Sequence, residues 1–174
     1  MNLDDLQIMH QLDSLNMLGE IDNLPAQLEK AWILGQTQPL PEKTSIRQVI
    51  ISGMGGSAIA ADLLSVYIAP SCPIPVIVHR HYGLPAWARG PETLMIASSH
   101  SGNTEETLEA FNAAIQNKCR MMVISTGGKL AKLALQANIP LWKFEHQGQP
   151  RAAVGFSFGL LLAVFARLGL VDAP

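Results

Sequence analysis

Charge is what this sequence has least of. Of its 174 residues only 15% are Asp, Glu, Lys or Arg, and the formal balance is -2. Such a balance offers no basic face to a phosphodiester backbone, so nucleic acid is not expected as the main partner. Cysteine is nearly absent as well. Cys72 and Cys119 stand far apart with no C-x-x-C spacing. They read as free thiols in a reducing, cytoplasmic setting, not as a redox or zinc pair. No uninterrupted apolar run reaches the length that a bilayer span needs, and no membrane contact is expected. The acidic start, Met1-Asn2-Leu3-Asp4-Asp5, lacks the basic and apolar stretches of a signal peptide. There is no internal repeat and no low-complexity tract. What the chain does have is apolar residues, 48% of it. With so little charge this implies a large buried sheet or an extended subunit interface. The length suits one domain with a full core.

Leu6, Met9, Leu12, Leu15 and Leu18 recur at helical spacing and predict a helix over residues 3–18, stopped by Gly19. A second helix follows Asp22-Asn23, with Pro25 in its first turn and Gly35 just past its end. Residues 36–45 contain Pro39 and Pro41 and read as a connector. These two helices are expected to brace the sheet or a partner subunit. Short apolar strands then alternate with helices. Strands are predicted at 49–51, 76–79, 94–97, 121–124 and 140–144, and helices at 58–68, 105–117, 129–137 and 154–170. Near-continuous apolar strands between helices predict an α/β fold of three layers, α/β/α, around a five-stranded parallel sheet. The chain divides into an extension and connector, 1–45, and the α/β domain, 46–174. Ligands of such sheets bind beyond the carboxyl ends of the strands. The turns at 53–57 and 125–128, the loop at 98–104 and the segment after Phe144 all fall on that edge.

The loop Ser98-Ser99-His100-Ser101-Gly102-Asn103-Thr104 holds four hydroxyls where a strand hands over to a helix. A cap needs one hydroxyl. The unpaired N–H groups of a helix start carry partial positive charge, so the loop reads as an anion site without a lysine. Gly53-Met54-Gly55-Gly56-Ser57-Ala58 fits G-x-G-x-x-A, a dinucleotide fingerprint. The second strand ends His79-Arg80 with no acidic residue for a ribose; the arginine suits a 2′-phosphate, which leaves NADP open. That reading gives the hydroxyl loop no role. A phosphosugar uses both loops, because Gly55 and Gly56 let backbone approach the ligand and Ser57 adds a hydroxyl.

Strand, G-M-G-G-S, helix, and strand, S-x-S-G-x-T, helix together resemble the sugar isomerase (SIS) domain. The resemblance is carried by Ser99 to Leu108 read whole, and by a third stretch, Gln149-Pro150-Arg151-Ala152-Ala153-Val154-Gly155-Phe156-Ser157-Phe158-Gly159. That stretch is similar to the segment after the fifth strand of the bifunctional phosphoglucose/phosphomannose isomerases. The three cover about 49–162. The resemblance implies a flavodoxin-like SIS fold, a hexose 6-phosphate ligand and no cofactor or metal. Ser99, Ser101 and Thr104 would bind the phosphate, and Gly56 and Ser57 would face the sugar. Arg151 would polarise the substrate oxygens and stabilise the enediolate between glucose or mannose 6-phosphate and fructose 6-phosphate, as a fixed cation suits. The family carries two SIS domains in one chain, with its base in the second. This chain therefore reads as an amino-terminal half that binds sugar phosphate, with a second SIS domain or a homodimer partner. The alternatives are a non-catalytic sugar-phosphate sensor and an NADP-binding domain.

Other residues carry blander expectations. His100 sits where relatives often have tyrosine and has no assigned role. Glu145 and His146, near the ligand edge, are the candidate bases within the chain. His79, His81 and His146 lack zinc-site spacing. His10, Lys129 and Lys132 are expected in solvent, Met121 and Met122 in the strand core, and Tyr82 and Trp87 in packing. The last helix is apolar on more than one face, which suggests burial by a second domain or subunit.

Overall fold

A computed structural model describes residues 5–42 and 45–173. The elements run α1 (Leu6–Leu12), α2 (Met17–Asp22), α3 (Leu24–Thr37), β1 (Gln48–Ser52), α4 (Gly55–Ile68), β2 (Val76–His79), β3 (Thr93–Ser99), α5 (Glu105–Gln116), β4 (Arg120–Ser125), α6 (Gly128–Gln136), β5 (Leu141–Lys143), a 3-10 turn (Pro150–Ala153) and α7 (Val154–Leu168). The five strands are all parallel, in the order β2-β1-β3-β4-β5. The expected three-layer α/β fold is present. The order reverses between β1 and β3, which opens a crevice above the ends of those two strands.

The pleat sorts the core. Leu94 and Ile96 of β3 face one side with Val49, Ile51, Met122 and Ile124, against α4 and α7. Met95 and Ala97 face the other with Met121 and Val123, against α5 and α6. Every residue of β3 is buried, as expected of the central strand of a sheet covered on both faces.

The amino-terminal helices depart from the expectation. One helix was predicted over 3–18; residues 3 and 4 lie outside the described residues, and the rest breaks at Asp13. The Asp13 carboxylate accepts from the Met17 and Leu18 N–H groups at 2.7 Å each and so starts a second helix. Gly19 lies inside α2 and does not stop a helix. Leu6, Met9, Leu12 and Leu15 are exposed, so their periodic row faces no core in this chain. Gly35 is likewise inside α3, not past its end. Its role is contact: an added Cβ would lie 2.5 Å from the Ala163 Cβ, and Gly159 meets Ala31 in the same way one turn earlier. Helices α3 and α7 thus run side by side at nearly backbone distance. Of the predicted connector, residues 43 and 44 lie outside the described residues.

Helix α7 is buried mainly by its own chain. Gly155, Ser157 and the run Gly159–Phe165 are buried against α3, α4 and the sheet, so most of its apolar surface needs no second subunit. With the 3-10 turn before it, Pro150–Leu168 is long and apolar enough to cross a membrane. The span is not an uninterrupted apolar run, since Arg151 and Arg167 lie in it, and 61% of its 18-residue apolar window is buried here as a core helix. Tyr82 and Trp87 are exposed, not packed in a core.

One side chain ties α3 to α7. Arg167 Nη1 donates to the Gly35 and Gln38 carbonyls at 2.6 Å each, and its guanidinium stands 5.6 Å from the Trp142 ring centre. It closes the carbonyl end of α3, where a positive charge is favoured. Trp142 in turn donates to the Pro39 carbonyl at 2.6 Å. Arg167→Met is expected to cost about 2 kcal/mol, the scale of charged hydrogen bonds lost at a partly buried site. Urea unfolding checks this as a lower midpoint with an unchanged slope.

Candidate functional site

The hydroxyl loop begins as the last two residues of β3, Ser98 and Ser99, both buried. Ser99 lies opposite Ser125 of β4. Its Oγ stands 3.0 Å from Thr104 Oγ1 and accepts the Gly102 N–H at 3.1 Å. The loop is therefore a closed ring of polar contacts, with Asn103 N donating to Ser101 Oγ at 3.2 Å. Thr104 is the N-cap of α5, yet its hydroxyl makes no cap bond. With that hydroxyl turned to Ser99, no side chain caps the first-turn N–H groups of α5, and they face the carboxyl edge of the sheet. Met54 before α4 and Gly127 before α6 are also N-caps without a side-chain bond. The starts of α4 and α5 therefore present partial positive charge to the crevice, while the Lys129 and Leu130 N–H groups of α6 are taken by Asn103 Oδ1 and Gly102 O.

Gly102 explains how the loop is held. Its φ is +64, and a Cβ there would collide with the Gly127 carbonyl oxygen. Gly128, also at positive φ, would bring a Cβ into the Ser101 carbonyl oxygen, a looser contact of the same kind. Leu130 N donates to Gly102 O at 2.9 Å, Lys129 N to Asn103 Oδ1 at 3.1 Å, and Thr126 Oγ1 to His100 O at 2.6 Å. The 125–128 turn is thus the floor on which the hydroxyl loop rests.

The other loop meets it through Gly53, where an added Cβ would stand 2.8 Å from Ser98 O and 3.3 Å from the Ser57 Cβ. At Gly56 a Cβ would stand 2.7 Å from Pro150 O and 3.2 Å from Arg151 Cα. Backbone contact thus carries Arg151, which is exposed, to the glycine turn. The buried Gln27 of α3 holds the same 3-10 turn from behind, donating to Ala152 O at 2.9 Å. Gly56, Ser57 and Arg151 share one side of the crevice, and Ser99, Ser101 and Thr104 share the hydroxyl loop. Arg80 is ion-paired with Asp62 of α4, so it is engaged where a 2′-phosphate contact was considered. Among the described residues no group of three or more His, Cys, Asp or Glu side chains is placed to hold a metal.

One cluster was not foreseen as a unit. His100 Nε2 stands 3.0 Å from His146 Nδ1, and His146 Nε2 stands 3.2 Å from Glu20 Oε2 of α2. The two rings meet edge-on at 5.1 Å, and Phe144 and Phe156 close round them. His146 is therefore no free base; it is held at both nitrogens. Glu145 beside it is exposed. Both histidines fell on the ligand edge in the sequence, but Glu20 lies 126 residues from His146 and carried no signal. Burial, and then the neighbouring His146 ring, hold the His100 pKa below the ordinary 6.5.

No family model matches the chain. It is 44% identical over 157 residues to the bifunctional phosphoglucose/phosphomannose isomerase of Caldicellulosiruptor bescii, covering 90% of this chain and 46% of that protein. The chain spans less than half the length of the curated relatives it matches. Among solved structures, the C-terminal domain of glucosamine-fructose-6-phosphate aminotransferase from Francisella tularensis superposes with a TM-score of 0.63 at 17% identity, over 87% of this chain and 47% of that one. The sugar isomerase domain of the RpiR transcription factor from Sphaerobacter thermophilus superposes with a TM-score of 0.56 at 20% identity, over 88% of each chain.

Two outcomes test this geometry. Gly102→Ala should force the hydroxyl loop off the 125–128 turn, at a cost of about 1–3 kcal/mol for a strained backbone position. Hydrogen exchange at the Leu130 and Lys129 amides, which bond to that loop, should accelerate. The His100 shift also has a sign. Its folded pKa is below its unfolded one, so at mildly acid pH the unfolded chain binds more protons. Stability should be full above about pH 6.5 and fall as pH drops through that value. His100→Gln should flatten that limb in a series of thermal unfolding curves.

Proposed function

We propose that this chain, a sugar-isomerase (SIS) domain similar to part of the bifunctional phosphoglucose/phosphomannose isomerases, binds a hexose 6-phosphate across the crevice between its hydroxyl loop and its glycine turn. The phosphate lies on Ser99, Ser101 and Thr104 and on the first-turn N–H groups of α5. The observation that carries this is the missing cap: four hydroxyls at a helix start, with Thr104 Oγ1 turned to Ser99 and no hydroxyl bonded to a first-turn N–H group of α5. The sugar extends towards Gly56 and Ser57. Arg151, brought against Gly56, is positioned on the sugar side.

The whole reaction follows as the interconversion of glucose or mannose 6-phosphate with fructose 6-phosphate. Moving a proton between C1 and C2 develops negative charge on O1 and O2, and a guanidinium stabilises it without changing its own protonation. The base comes from a second SIS domain, in line with the share of the relatives' length that this chain spans. By itself the chain binds sugar phosphate and turns it over poorly or not at all, in a cytoplasmic setting. A partner, either that second domain or a second copy, covers the apolar groove lined by Leu24, Leu28, Leu63, Tyr67, Val154 and Phe158. A sensing role without catalysis is the second reading, supported by the likeness to the RpiR sugar isomerase domain.

Glucose 6-phosphate and fructose 6-phosphate should each raise the unfolding temperature, by the equivalent of about 2.7 kcal/mol at a hundredfold excess over the dissociation constant. NADP should not. Ser101→Ala combined with Thr104→Ala should abolish the ligand shift while leaving the unliganded melting curve in place. An unchanged sugar-phosphate affinity in that double variant would reduce the loop to a helix cap.

A further inference from the structure

The hydroxyl loop has no lysine or arginine in its own sequence, and a hydrogen-bonded chain of titratable side chains, Glu20–His146–His100, reaches it. The polarity of that chain is fixed by elementary hydrogen bonding. A carboxylate accepts only, so His146 Nε2 carries a proton and donates to Glu20 Oε2. In the neutral ring His146 Nδ1 is then a bare acceptor, and His100 Nε2 must donate to it. That leaves His100 Nδ1 unprotonated, with no partner among the described residues. With both rings neutral the chain is a wire with one open, basic end on a residue of the hydroxyl loop, and its one charge is the Glu20 carboxylate. Its far end is a carboxylate that remains only partly shielded, with 23% of the Glu20 side chain exposed against 6% for His146.

We propose that Glu20, His146 and His100 form a proton relay that supplies the hydroxyl loop with its cation on demand: a phosphate dianion bound there draws one proton into the relay, and the charge comes to rest on His146 beside Glu20. The inference rests on the sugar-phosphate reading of the site. Each proton is accounted for. One proton leaves the buffer and bonds to His100 Nδ1. The His100 Nε2–H proton passes to His146 Nδ1. His146 is now an imidazolium next to the Glu20 carboxylate, and His100 is again neutral but with its tautomer reversed. Its Nδ1–H is a donor for an oxygen of the ligand. Nothing is oxidised or reduced, and no covalent bond other than N–H changes.

The surroundings agree with this direction. Burial against Phe144 and His146 disfavours a proton on His100 when the site is empty. The charged or titratable groups on the neighbouring elements are Glu20 on α2, Glu145 and His146 after β5, Arg151 on the 3-10 turn, Glu105 and Glu106 on α5, and Lys129 on α6. Of these, His146 is the one whose charge acts on His100. With both rings neutral the empty relay carries only the Glu20 carboxylate charge, and a bound anion favours proton uptake by electrostatic attraction. His100 and His146 are positioning residues for the phosphate. Their effect is on affinity and its pH dependence, not on a step at C1 or C2.

Calorimetric titration of the intact chain with glucose 6-phosphate at pH 8, in buffers of different ionisation enthalpy, reads the proton directly. A phosphate monoester, with its second pKa near 6, is fully dianionic there, so a proton taken up goes to the protein. The expected result is an uptake approaching about one proton per ligand and an affinity that falls up to about tenfold per pH unit above the relay's titration. His100→Gln keeps an N–H donor towards His146 but cannot titrate. It should retain the fold by thermal unfolding, bind more weakly, and show neither the uptake nor the pH slope. Glu20→Gln should reduce the uptake, because the cation loses its counter-charge. Binding with buffer-independent heats in the wild type would overturn the relay and leave the sugar-phosphate reading intact. So would an uptake that survives in both His100→Gln and His146→Gln. Absence of sugar-phosphate binding would instead overturn the functional reading; inorganic phosphate, titrated in the same way, then decides the relay, with uptake supporting it and no binding or no uptake overturning it.

Discussion

Three loops at the carboxyl edge of the sheet touch one another through glycine backbones, and the site exists because no side chain stands between them. Gly102 lies on the Gly127 carbonyl, Gly128 on Ser101, Gly53 on Ser98, and Gly56 on Pro150 and Arg151. Each contact is too close for a Cβ. Their effect is cumulative: β1, β3 and β4 end at one level, and the segment after β5 is pulled back across the sheet to β1. Arg151 thereby comes to a turn nearly a hundred residues earlier in the chain. Backbone contact of this kind is stiff, since it has no rotamers to adjust.

That stiffness suits an anion site built from peptide dipoles. Partial charges at helix starts act only over about a turn and only when aligned. The starts of α4 and α5 are aligned by the parallel sheet and left without side-chain caps, whereas the α6 start receives one from Asn103. The hydroxyls of Ser99 and Thr104, which are the capping residue types, bond to each other instead. A loop with capping chemistry that does not cap is poised for a ligand's oxygens. Such a loop needs few full charges, which agrees with the anionic ligand proposed for it.

The amino-terminal helices belong to this arrangement more closely than their place in the chain suggests. Helix α3 packs along α7 through Gly35, Ala31, Gly159 and Ala163, and its Gln27 holds the 3-10 turn that bears Arg151. Helix α2 delivers Glu20 to His146. The carboxyl edge of the sheet is thus supported from a segment that precedes the sheet. The apolar residues of α1, and the groove between α3, α4 and α7, remain exposed.

The strands, their parallel pairing and the helices between them were legible in the sequence, because their signals are local. β-branched and apolar runs such as Val49-Ile50-Ile51 mark a strand covered on both faces, and prolines and glycines mark the turns. The hydroxyl loop was legible for the same reason: its chemistry is contiguous. What failed were inferences that took a local signal for a whole one. Leu6 to Leu18 has the period of a single helix, but the Asp13 carboxylate captures the Met17 and Leu18 N–H groups and starts another. Gly35 looked like a helix end and is a contact point, since only the approach of α7 reveals what a Cβ there would strike. The pairing of Glu20 with His146 and His100 was decided by tertiary structure alone. Its members come from three distant parts of the chain, and hydrogen bonds between side chains leave no trace in spacing. The sequence determined which edge of the sheet carries the hydroxyl loop and the glycine turn; the packing of α3 on α7 and of glycine on backbone decided which side chains meet there.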